Sequence, residues 1–475
     1  MNFEAIIGLE IHVQMKTKSK MFSSSPNAFS REPNTEVTPF DMAHPGTMPR
    51  VNKQAVINAI RVANALHMTI DHTLYFDRKN YFYADLPKGF QITQQFRPIG
   101  KNGYVEILDK EGKIKRVHIE RIHMEEDTCK QLHFADYSLL DYNRAGTPLI
   151  EIVSEPEIRS GTEAMHYVEA IRNIVVYSGT SDGKMEEGSL RCDVNVSLRP
   201  FGTKEFGTKV EIKNLNSTKN IESALDYEIA RQSACLLSGT PVQQETRRYD
   251  EASGTTVLMR VKTSAVDYKY FCEPNIAPIA LSDEFVENAI ATCPELYDQK
   301  KARYLEEGLS PVDADIILSD LAMSAYYEKA SAGAKNKKAI ANWIIVEVNG
   351  YLNKHGIGIA EFPLPAEKLS QIAALQEDGY THKQCADILA RVIDSGEEVE
   401  EARKALKIEK QVSDDSLVLE FVTQVLDANP QSIADFKAGK DRAIGFLVGQ
   451  VMKLSKGKVN PAAASKILNI EIRKR

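Results

Sequence analysis

Two stretches of this chain alternate between an all-apolar set of positions and a mostly polar set, and this alternation favours β-strands with one buried face. In residues 6–15 every odd position is aliphatic or methionine, whereas Glu10 and His12 occupy even positions. In residues 189–198 the even positions are the apolar ones, and Asp193 lies on the polar side. Because successive side chains of a strand point to opposite faces, both stretches predict a sheet with one face on a core and the other face charged.

Further short strands carry charged groups in the same way. Glu151 lies in the apolar run 149–153, on the face opposite its two isoleucine neighbours. The other examples are Lys209, Glu211 and Lys213 in one strand and His123 and Glu125 in another. For each strand alone, a solvent face is the simpler explanation. If these faces belong to neighbouring strands of one sheet, the recurrence of His, Asp, Glu and Arg instead predicts a metal–phosphate site, because Mg²⁺ takes carboxylate oxygens and Lys and Arg neutralise phosphate.

The size and composition of the chain predict a globular protein of several domains. It has 475 residues, of which 43% are hydrophobic and 26% charged, with a net charge of −7. The six cysteines are scattered without a C-x-x-C pair, which favours a reducing compartment. We see neither a secretory signal nor an apolar run long enough for a membrane span, so we expect a cytoplasmic protein without membrane attachment.

Three domains are expected from the changes in pattern along the chain, and the fold class is α+β. Residues 1–294 combine short alternating strands with helices and predict a mainly antiparallel sheet domain. Residues 295–408 are rich in Ala, Leu, Glu and Lys and predict an all-helical domain. Residues 409–475 predict a small helical tail.

Several familiar chemistries are disfavoured by the motifs. Residues 179–185 contain a Gly-Lys pair without the spacing of a phosphate-binding Walker loop. Cys192 alternates with apolar neighbours, which indicates a buried structural thiol rather than a nucleophile. No serine lies in a nucleophile-elbow context. We therefore expect a transfer reaction in which the substrate supplies the nucleophile.

Several long motifs together resemble one protein family, that of the B subunits of the aspartyl/glutamyl-tRNA amidotransferases. The resemblance extends from Gly8-Leu9-Glu10-Ile11-His12 to the Lys-Gly-Lys-Val-Asn-Pro motif of residues 456–461. The motifs between these ends lie in residues 140–151, 185–193, 212–217, 245–248 and 445–450. This resemblance implies a cradle-like catalytic domain, a helical domain and a helical tail that contacts tRNA.

The reaction that the resemblance implies has two steps. The side-chain carboxylate of Glu mischarged on tRNA-Gln, or of Asp on tRNA-Asn, is phosphorylated with ATP and Mg²⁺. Ammonia released from glutamine by an amidase partner subunit then displaces the phosphate, and a small third subunit completes the complex. A standalone ATP-dependent carboxylate–amine ligase for a small molecule is the alternative, and a non-catalytic tRNA-binding protein is a third hypothesis.

The resemblance also assigns roles to individual residues. The metal role falls on Glu10, His12, Glu125 and Glu151, and His12 alternatively orients water or substrate because histidine is softer than Mg²⁺ prefers. The expected catalytic residues are Glu125, Glu151, Asp193, Glu211 and Lys213, and the expected nucleotide-binding residues are Lys79, Glu187, Arg191 and Lys209. For Lys79 an exposed structural lysine is an equal alternative.

The tail carries a separate electrostatic signal. From residue 437 to residue 475 there are ten Lys or Arg residues against two acids, although the whole chain is acidic. A basic patch confined to a small terminal domain is typical of binding to a phosphate backbone. We expect tRNA contacts from Arg442, Lys453, Lys456 and Lys458.

Two departures from the family pattern bear on the site. Many family members carry two pairs of zinc-binding cysteines near the N-terminus, and Ser23, Ser25, Thr38 and Asp41 occupy those positions here. We therefore predict no zinc. Cys129 replaces a usual glycine close to Glu125, which puts a close backbone approach there in doubt.

Overall fold

A computed structural model gives the fold of most of the chain. It describes residues 3–28, 32–261, 267–410, 415–437, 442–455 and 459–474. The chain divides into two compact units, Met1–Tyr297 and Asp298–Arg475. Among the described residues, no helix is both long and apolar enough to cross a membrane.

The first unit is built from strands of very different lengths. Their bounds are β1 (Phe3–Gln14), β2 (Thr69–Ile70), β3 (Thr73–Leu74), β4 (Asp77–Asn80), β5 (Phe90–Thr93), β6 (Gly100–Leu108), β7 (Ile114–Glu126), β8 (Lys130–His133), β9 (Ser138–Asp141), β10 (Pro148–Ser154), β11 (Leu190–Pro200), β12 (Val210–Lys213), β13 (Glu245–Asp250), β14 (Thr255–Val261), β15 (Phe271–Cys272) and β16 (Ile279–Ala280).

Nine of these strands, counted over the described residues, form one large sheet in the order β14-β13-β12-β11-β1-β10-β7-β6-β2. All neighbours in this sheet are antiparallel except β12 and β13, which run parallel. A smaller three-stranded sheet has the order β15-β4-β5, and β3 with β16 and β8 with β9 form two-stranded pairs. The long strand β1 lies near the centre of the large sheet, so its polar face can meet side chains from strands on both sides.

Helices cover the apolar face of the large sheet. They are α1 (Lys53–Ala65), α2 (Gly161–Tyr177) and α3 (Thr218–Leu237), and α4 (Asp283–Ala291) packs against α1. Ser160 and Ser217 cap the N-termini of α2 and α3 by accepting backbone N–H groups of the first turn. Ile7 and Ile11 of β1 are fully buried in the core that the helices and sheet share.

The second unit is helical throughout its described residues. Its helices are α5 (Tyr297–Glu306), which begins at the boundary, α6 (Pro311–Leu318), α7 (Leu321–Ser331), α8 (Lys337–Trp343), α9 (Asn349–His355), α10 (Ala366–Glu377), α11 (His382–Ser395), α12 (Val399–Ala405), α13 (Asp415–Ala428), α14 (Pro430–Lys437), α15 (Arg442–Leu454) and α16 (Pro461–Lys474). A π-helical turn, Ile344–Val348, connects α8 to α9, and Ile359–Glu361 forms a 3₁₀ turn.

Helices α13 to α16 share a hydrophobic cluster. Val418, Leu447 and Leu468 are fully buried in it, and its buried members all lie between residues 418 and 472. Leu454, the last residue of α15, is 46% exposed. The α+β prediction, with a mainly antiparallel sheet followed by helices, is confirmed. The separation of residues 409–475 as a third domain stays a prediction.

Candidate active site

A row of polar side chains crosses four strands of the large sheet. His12 of β1 lies opposite Arg191 of β11 and opposite Glu151 of β10. Glu151 in turn lies opposite His123 of β7. Directly opposed residues of antiparallel strands share a face, so all four side chains project to the same side of the sheet. The polar faces predicted for the separate strands are therefore one surface.

Two of these side chains, His12 and Glu151, form a compact group of ligand atoms with Glu125. One ligand atom from each of His12, Glu125 and Glu151 lies within 4.8 Å of the other two. His12 Nε2 is 3.4 Å from Glu151 Oε2 and 3.7 Å from Glu125 Oε1. The two carboxylates are mostly shielded from solvent, since their side chains are 5% and 13% exposed. Such a set of two carboxylates and one imidazole fits a divalent cation with water in its remaining positions.

Sequence reasoning did not assign a role to His123, which completes this group. Its Nε2 lies 3.1 Å from Glu151 Oε2 and 3.7 Å from Glu125 Oε2, and its Nδ1 is buried without a hydrogen-bond partner among the described residues. The signal was present in the strand alternation, which places His123 on the face of Glu125. We name His12, His123, Glu125 and Glu151 the His–Glu cluster.

The imidazoles and carboxylates of the His–Glu cluster shift one another's pKa values. Burial opposes the charged form of His123, yet the negative charges of Glu151 and Glu125 raise its pKa to about 9. For His12 burial again opposes charging, and hydrogen bonding to Glu151 and the charges of both carboxylates raise its pKa overall. Burial would raise the pKa of Glu151, but the two imidazoles hold it well below its usual value. A protonated His123 thus offsets part of the negative charge of the two buried acids, and a bound cation would take over that role.

A lysine bridges two acids on the neighbouring strands. The Lys213 ammonium is hydrogen-bonded to Asp193 and lies 3.2 Å from Glu211. Glu211 also accepts a hydrogen bond of 2.8 Å from Thr246 Oγ1. Burial would lower the pKa of Lys213, but the negative charge of Asp193 and its hydrogen bond raise it. Lys213 therefore stays positively charged. It lies on β12, which is separated from β1 by β11.

Asp127 lies near two arginines, Arg191 and Arg144, at this polar face. The sequence had given no indication of its role. It accepts hydrogen bonds of 2.9 Å from Gln14 Nε2 and 2.7 Å from Arg191 Nη2. Arg144 Nε lies 3.7 Å away and donates instead to Thr128 O at 3.0 Å. Asp127 follows the end of β7, so strand alternation gives no signal for it.

Two cavities open along the polar face. The larger, of about 500 Å³, is lined by His12, Glu187, Arg191, Asp193 and Lys213 together with residues 185–188 and 214–216. The smaller, of about 270 Å³, is lined by Glu10, Asn195 and Lys209 together with Gly8, Ser154, Pro156 and Phe206. Most of the residues expected to bind nucleotide or metal thus meet one of the two cavities.

Glu10 lies beside the His–Glu cluster rather than within it. Its Oε1 accepts a hydrogen bond of 3.0 Å from Asn195 Nδ2. Burial raises the pKa of Glu10, and the negative charges of Glu151 and Asp193 raise it further. Its assignment as a metal ligand stays a prediction.

The remaining predicted residues lie outside the His–Glu cluster. Glu187 is exposed at the rim of the larger cavity, 2.7 Å from Lys184. Lys79 belongs to the three-stranded sheet, where its ammonium lies 4.9 Å from the centre of the Tyr268 ring. Arg442 and Lys453 are exposed at the two ends of α15 in the second unit. Lys456 and Lys458 lie outside the described residues.

Cys129 does not disturb the backbone near the cluster. It is fully buried, and its N–H donates to Asp85 O at 3.0 Å. Its φ is not positive, so the conformation does not require glycine. Having Cys129 in place of the usual glycine therefore affects side-chain packing and not the backbone conformation.

Asp41 organises the positions at which many members of the family that the sequence resembles carry zinc-binding cysteines. Its carboxylate accepts hydrogen bonds of 2.8 Å from Ser23 Oγ and from both the N–H and the hydroxyl of Thr38. The fully buried Lys20 ammonium lies 3.9 Å away and donates to Glu36 O at 2.7 Å and Tyr142 O at 3.2 Å. These side chains connect residues 20–41 to the loop that follows β9. The absence of zinc stays a prediction.

We expect the Asp41→Ala variant to lower the free energy of unfolding of the first unit by about 3–5 kcal/mol, because it leaves the buried Lys20 ammonium without its carboxylate. Thermal unfolding and hydrogen exchange of first-unit amides would measure the loss. The Lys20→Met/Asp41→Ala double variant should recover most of it. Asp109→Ala, in an exposed turn, is the control; a double variant no more stable than the single one would contradict this explanation.

Comparison with known proteins gives matches over nearly the whole chain. A family model described as the GatB/GatE catalytic domain matches residues 5–287, and a model described as the GatB domain matches residues 325–472. Proteins named as the B subunit of aspartyl/glutamyl-tRNA(Asn/Gln) amidotransferase match over their full lengths and the full length of this chain. They include those of Geobacillus thermodenitrificans, 49% identical, and of Bacillus velezensis and Bacillus cereus, each 50% identical.

Proposed function

The chain belongs to the family of aspartyl/glutamyl-tRNA(Asn/Gln) amidotransferase B subunits, and from this we propose that it activates the side-chain carboxylate of a mischarged tRNA with ATP and Mg²⁺ and amidates it. The observation that carries the proposal is the convergence of His12, Glu125 and Glu151 on one sheet face. The substrates are Glu on tRNA-Gln, Asp on tRNA-Asn, or both.

The proposed chemistry transfers a phosphoryl group and then an amine. An oxygen of the substrate carboxylate attacks the γ-phosphorus of ATP, and the bond to the β-phosphate oxygen breaks to release ADP. Ammonia then attacks the carbonyl carbon of the acyl phosphate, phosphate leaves with the bonding electrons, and the nitrogen loses a proton. The nucleophiles are the substrate and ammonia, which agrees with the burial of Cys192 and the upward shift of its pKa by that burial.

In such a reaction the protein must bind two anions, the substrate carboxylate and ATP, close to each other. Both the carboxylate and ATP are negatively charged, so positive groups must screen them and stabilise the transferring phosphoryl group. Arg191 and Lys213 line the larger cavity, and each is oriented by an aspartate, Asp127 and Asp193 respectively. We assign these two cations to the nucleotide and the acyl phosphate.

The His–Glu cluster is the proposed magnesium site. His12, Glu125 and Glu151 would hold the ion, and His123 would orient Glu151 from the other side. When bound, Mg²⁺ contributes charge neutralisation at phosphate oxygens. Lys209 and Glu10 line the smaller cavity, which we assign to a further part of the nucleotide.

The ammonia comes from other chains in this proposal. The relatives are named as one subunit of an amidotransferase, and we infer an amidase subunit that hydrolyses glutamine and a small third subunit. The helical tail, with Arg442 and Lys453 exposed, is assigned to the body of the tRNA.

A transamidation assay tests this function. The chain, purified with its partner subunits, should convert Glu-tRNA-Gln to Gln-tRNA-Gln, or Asp-tRNA-Asn to Asn-tRNA-Asn, with glutamine present. Omitting ATP or chelating Mg²⁺ should abolish the conversion, and ADP should form in step with the amide. Conversion that proceeds without ATP would contradict the proposal, and so would ATP-dependent amidation of free glutamate in preference to the aminoacyl-tRNA.

A further inference from the structure

Five aromatic rings form a continuous row in the first unit. The ring centres of Tyr83 and Tyr81 are 5.8 Å apart, and those of Tyr81 and Tyr268 are 6.0 Å apart. Tyr268 continues to Tyr270 at 6.0 Å, and Tyr270 continues to Phe96 at 6.4 Å. We name these residues the aromatic row. Its two ends face solvent, since Tyr83 is 64% and Phe96 is 57% exposed.

Hydrogen bonds attach segments that flank the aromatic row to the end of β7, which carries Glu125. Asp85 O, two residues after Tyr83, accepts the N–H of Cys129, shortly after the end of β7. On β5, Gln91 Nε2 donates to Glu126 O at 2.7 Å, and Gln91 pairs with Lys79 of β4. Segments next to the row are therefore attached to the end of β7 that carries Glu125.

The electrostatics agree with this placement. Burial raises the pKa of Tyr270 to about 12, and the charges of Tyr268, Glu125 and Glu151 contribute to that rise. Burial also raises the pKa of Tyr81, with the negative charge of Glu125 as the next cause. The negative charges of Glu125 and Glu151 thus act on rings near the middle of the row.

A lysine lies on the aromatic row. The Lys79 ammonium is 4.9 Å from the centre of the Tyr268 ring and 5.7 Å from that of Tyr81. Among the residues that the structure describes, no carboxylate lies within ion-pair distance of Lys79. Aromatic faces beside a lysine offer stacking for a nucleobase and a positive charge for its phosphate.

We propose that the aromatic row and Lys79 bind the 3′-terminal nucleoside of the aminoacyl-tRNA, with the terminal base stacked on Tyr83 and the adjoining phosphate at Lys79. This inference rests on the proposed function. The reacting carboxylate belongs to an amino acid esterified to the terminal ribose, so that nucleoside must lie within one amino acid's reach of the His–Glu cluster. RNA ends are recognised by stacking of unpaired bases on aromatic side chains.

The first experiment removes the base instead of the protein side chain. The reconstituted complex is given mischarged tRNA with a normal 3′-terminal adenosine or with an abasic terminal ribose. Loss of the stacked base should raise KM for the tRNA about tenfold with little change in kcat. Equal KM values for the two tRNAs would overturn the inference and leave the proposed function standing, whereas amidation of neither would count against the function itself.

Variants of Tyr83 separate stacking from simple apolar contact. Tyr83→Phe keeps the ring and should retain the KM of the unchanged protein. Tyr83→Leu removes the ring and should raise KM about tenfold for normal tRNA, with no further rise for abasic tRNA. Tyr137→Leu, which removes a ring that is 59% exposed on the β8–β9 hairpin, is the matched control and should have no effect.

A direct binding measurement completes the test. A tRNA with 2-aminopurine as its terminal base should lose fluorescence on binding to the complex, because stacking quenches this base. Tyr83→Phe should preserve the quenching and Tyr83→Leu should abolish it. If Tyr83→Leu instead prevents assembly with the partner subunits while the abasic tRNA behaves normally, the aromatic row is a protein-docking surface and the inference is wrong.

Discussion

Replacing Glu151 by glutamine is expected to lower kcat/KM for amidation by at least about a hundredfold. The change keeps the size of the side chain but removes the charge that lies 3.4 Å from His12 and 3.1 Å from His123. Changes to the residues that orient metal ligands cost about ten- to a hundredfold, and loss of a ligand charge should cost more. Steady-state rates measured over a series of Mg²⁺ concentrations would give both the loss and the half-saturating concentration.

The dependence on Mg²⁺ distinguishes a ligand from a structural acid. If Glu151 holds the ion, the glutamine variant should need at least about ten times more Mg²⁺ for half of its own maximal rate, and Glu125→Gln should behave alike. Glu157→Gln is the matched control, because Glu157 pairs with His118 at 2.8 Å and lies, partly exposed, outside the site. An unchanged rate in the Glu151 and Glu125 variants would refute the metal assignment.

The polar face that we propose as the metal site could be predicted from the sequence because strand alternation is a local signal. Glu10 and His12 share a face whatever strand lies beside them, and the same holds for His123 and Glu125. The strand order β11-β1-β10-β7 is not local: it places Glu151 opposite His12 although the two are far apart in the chain. Only the structure, or a resemblance to a known family, supplies that order.

Other parts of the site could not be predicted, for identifiable reasons. Asp127 lies beyond the end of β7, where alternation no longer specifies a direction. The aromatic row joins residues 81–83 to residues 268–270, and neither segment has a pattern that indicates the other. Lys79 was expected to bind phosphate, and this stays a prediction; no pattern in the sequence indicated that Lys79 belongs to a separate three-stranded sheet. Long-range pairing, rather than local propensity, accounts for each case.

Deleting residues 413–475 is expected to raise KM for mischarged tRNA by at least about tenfold while kcat at saturating tRNA is retained. The buried hydrophobic cluster of helices α13 to α16 contains only residues between 418 and 472, so the deletion removes it as a whole. The deleted segment carries most of the basic C-terminal charge, including Arg442 and Lys453. Because each phosphate contact releases counterions, the truncated protein should also show a weaker dependence of KM on salt concentration.

Charge variants of the full-length chain test whether this effect is electrostatic. Replacing Arg442 and Lys453 by glutamine should raise KM for tRNA and reduce its salt dependence, because both residues are exposed on α15. Lys404→Gln is the control, since this lysine is 69% exposed on α12, outside the tail. If the truncated protein keeps the KM and salt dependence of the full chain, the tail does not bind tRNA. If the truncation instead prevents assembly with the partner subunits, the tail is a protein-binding element, and the phosphate contacts must come from another surface.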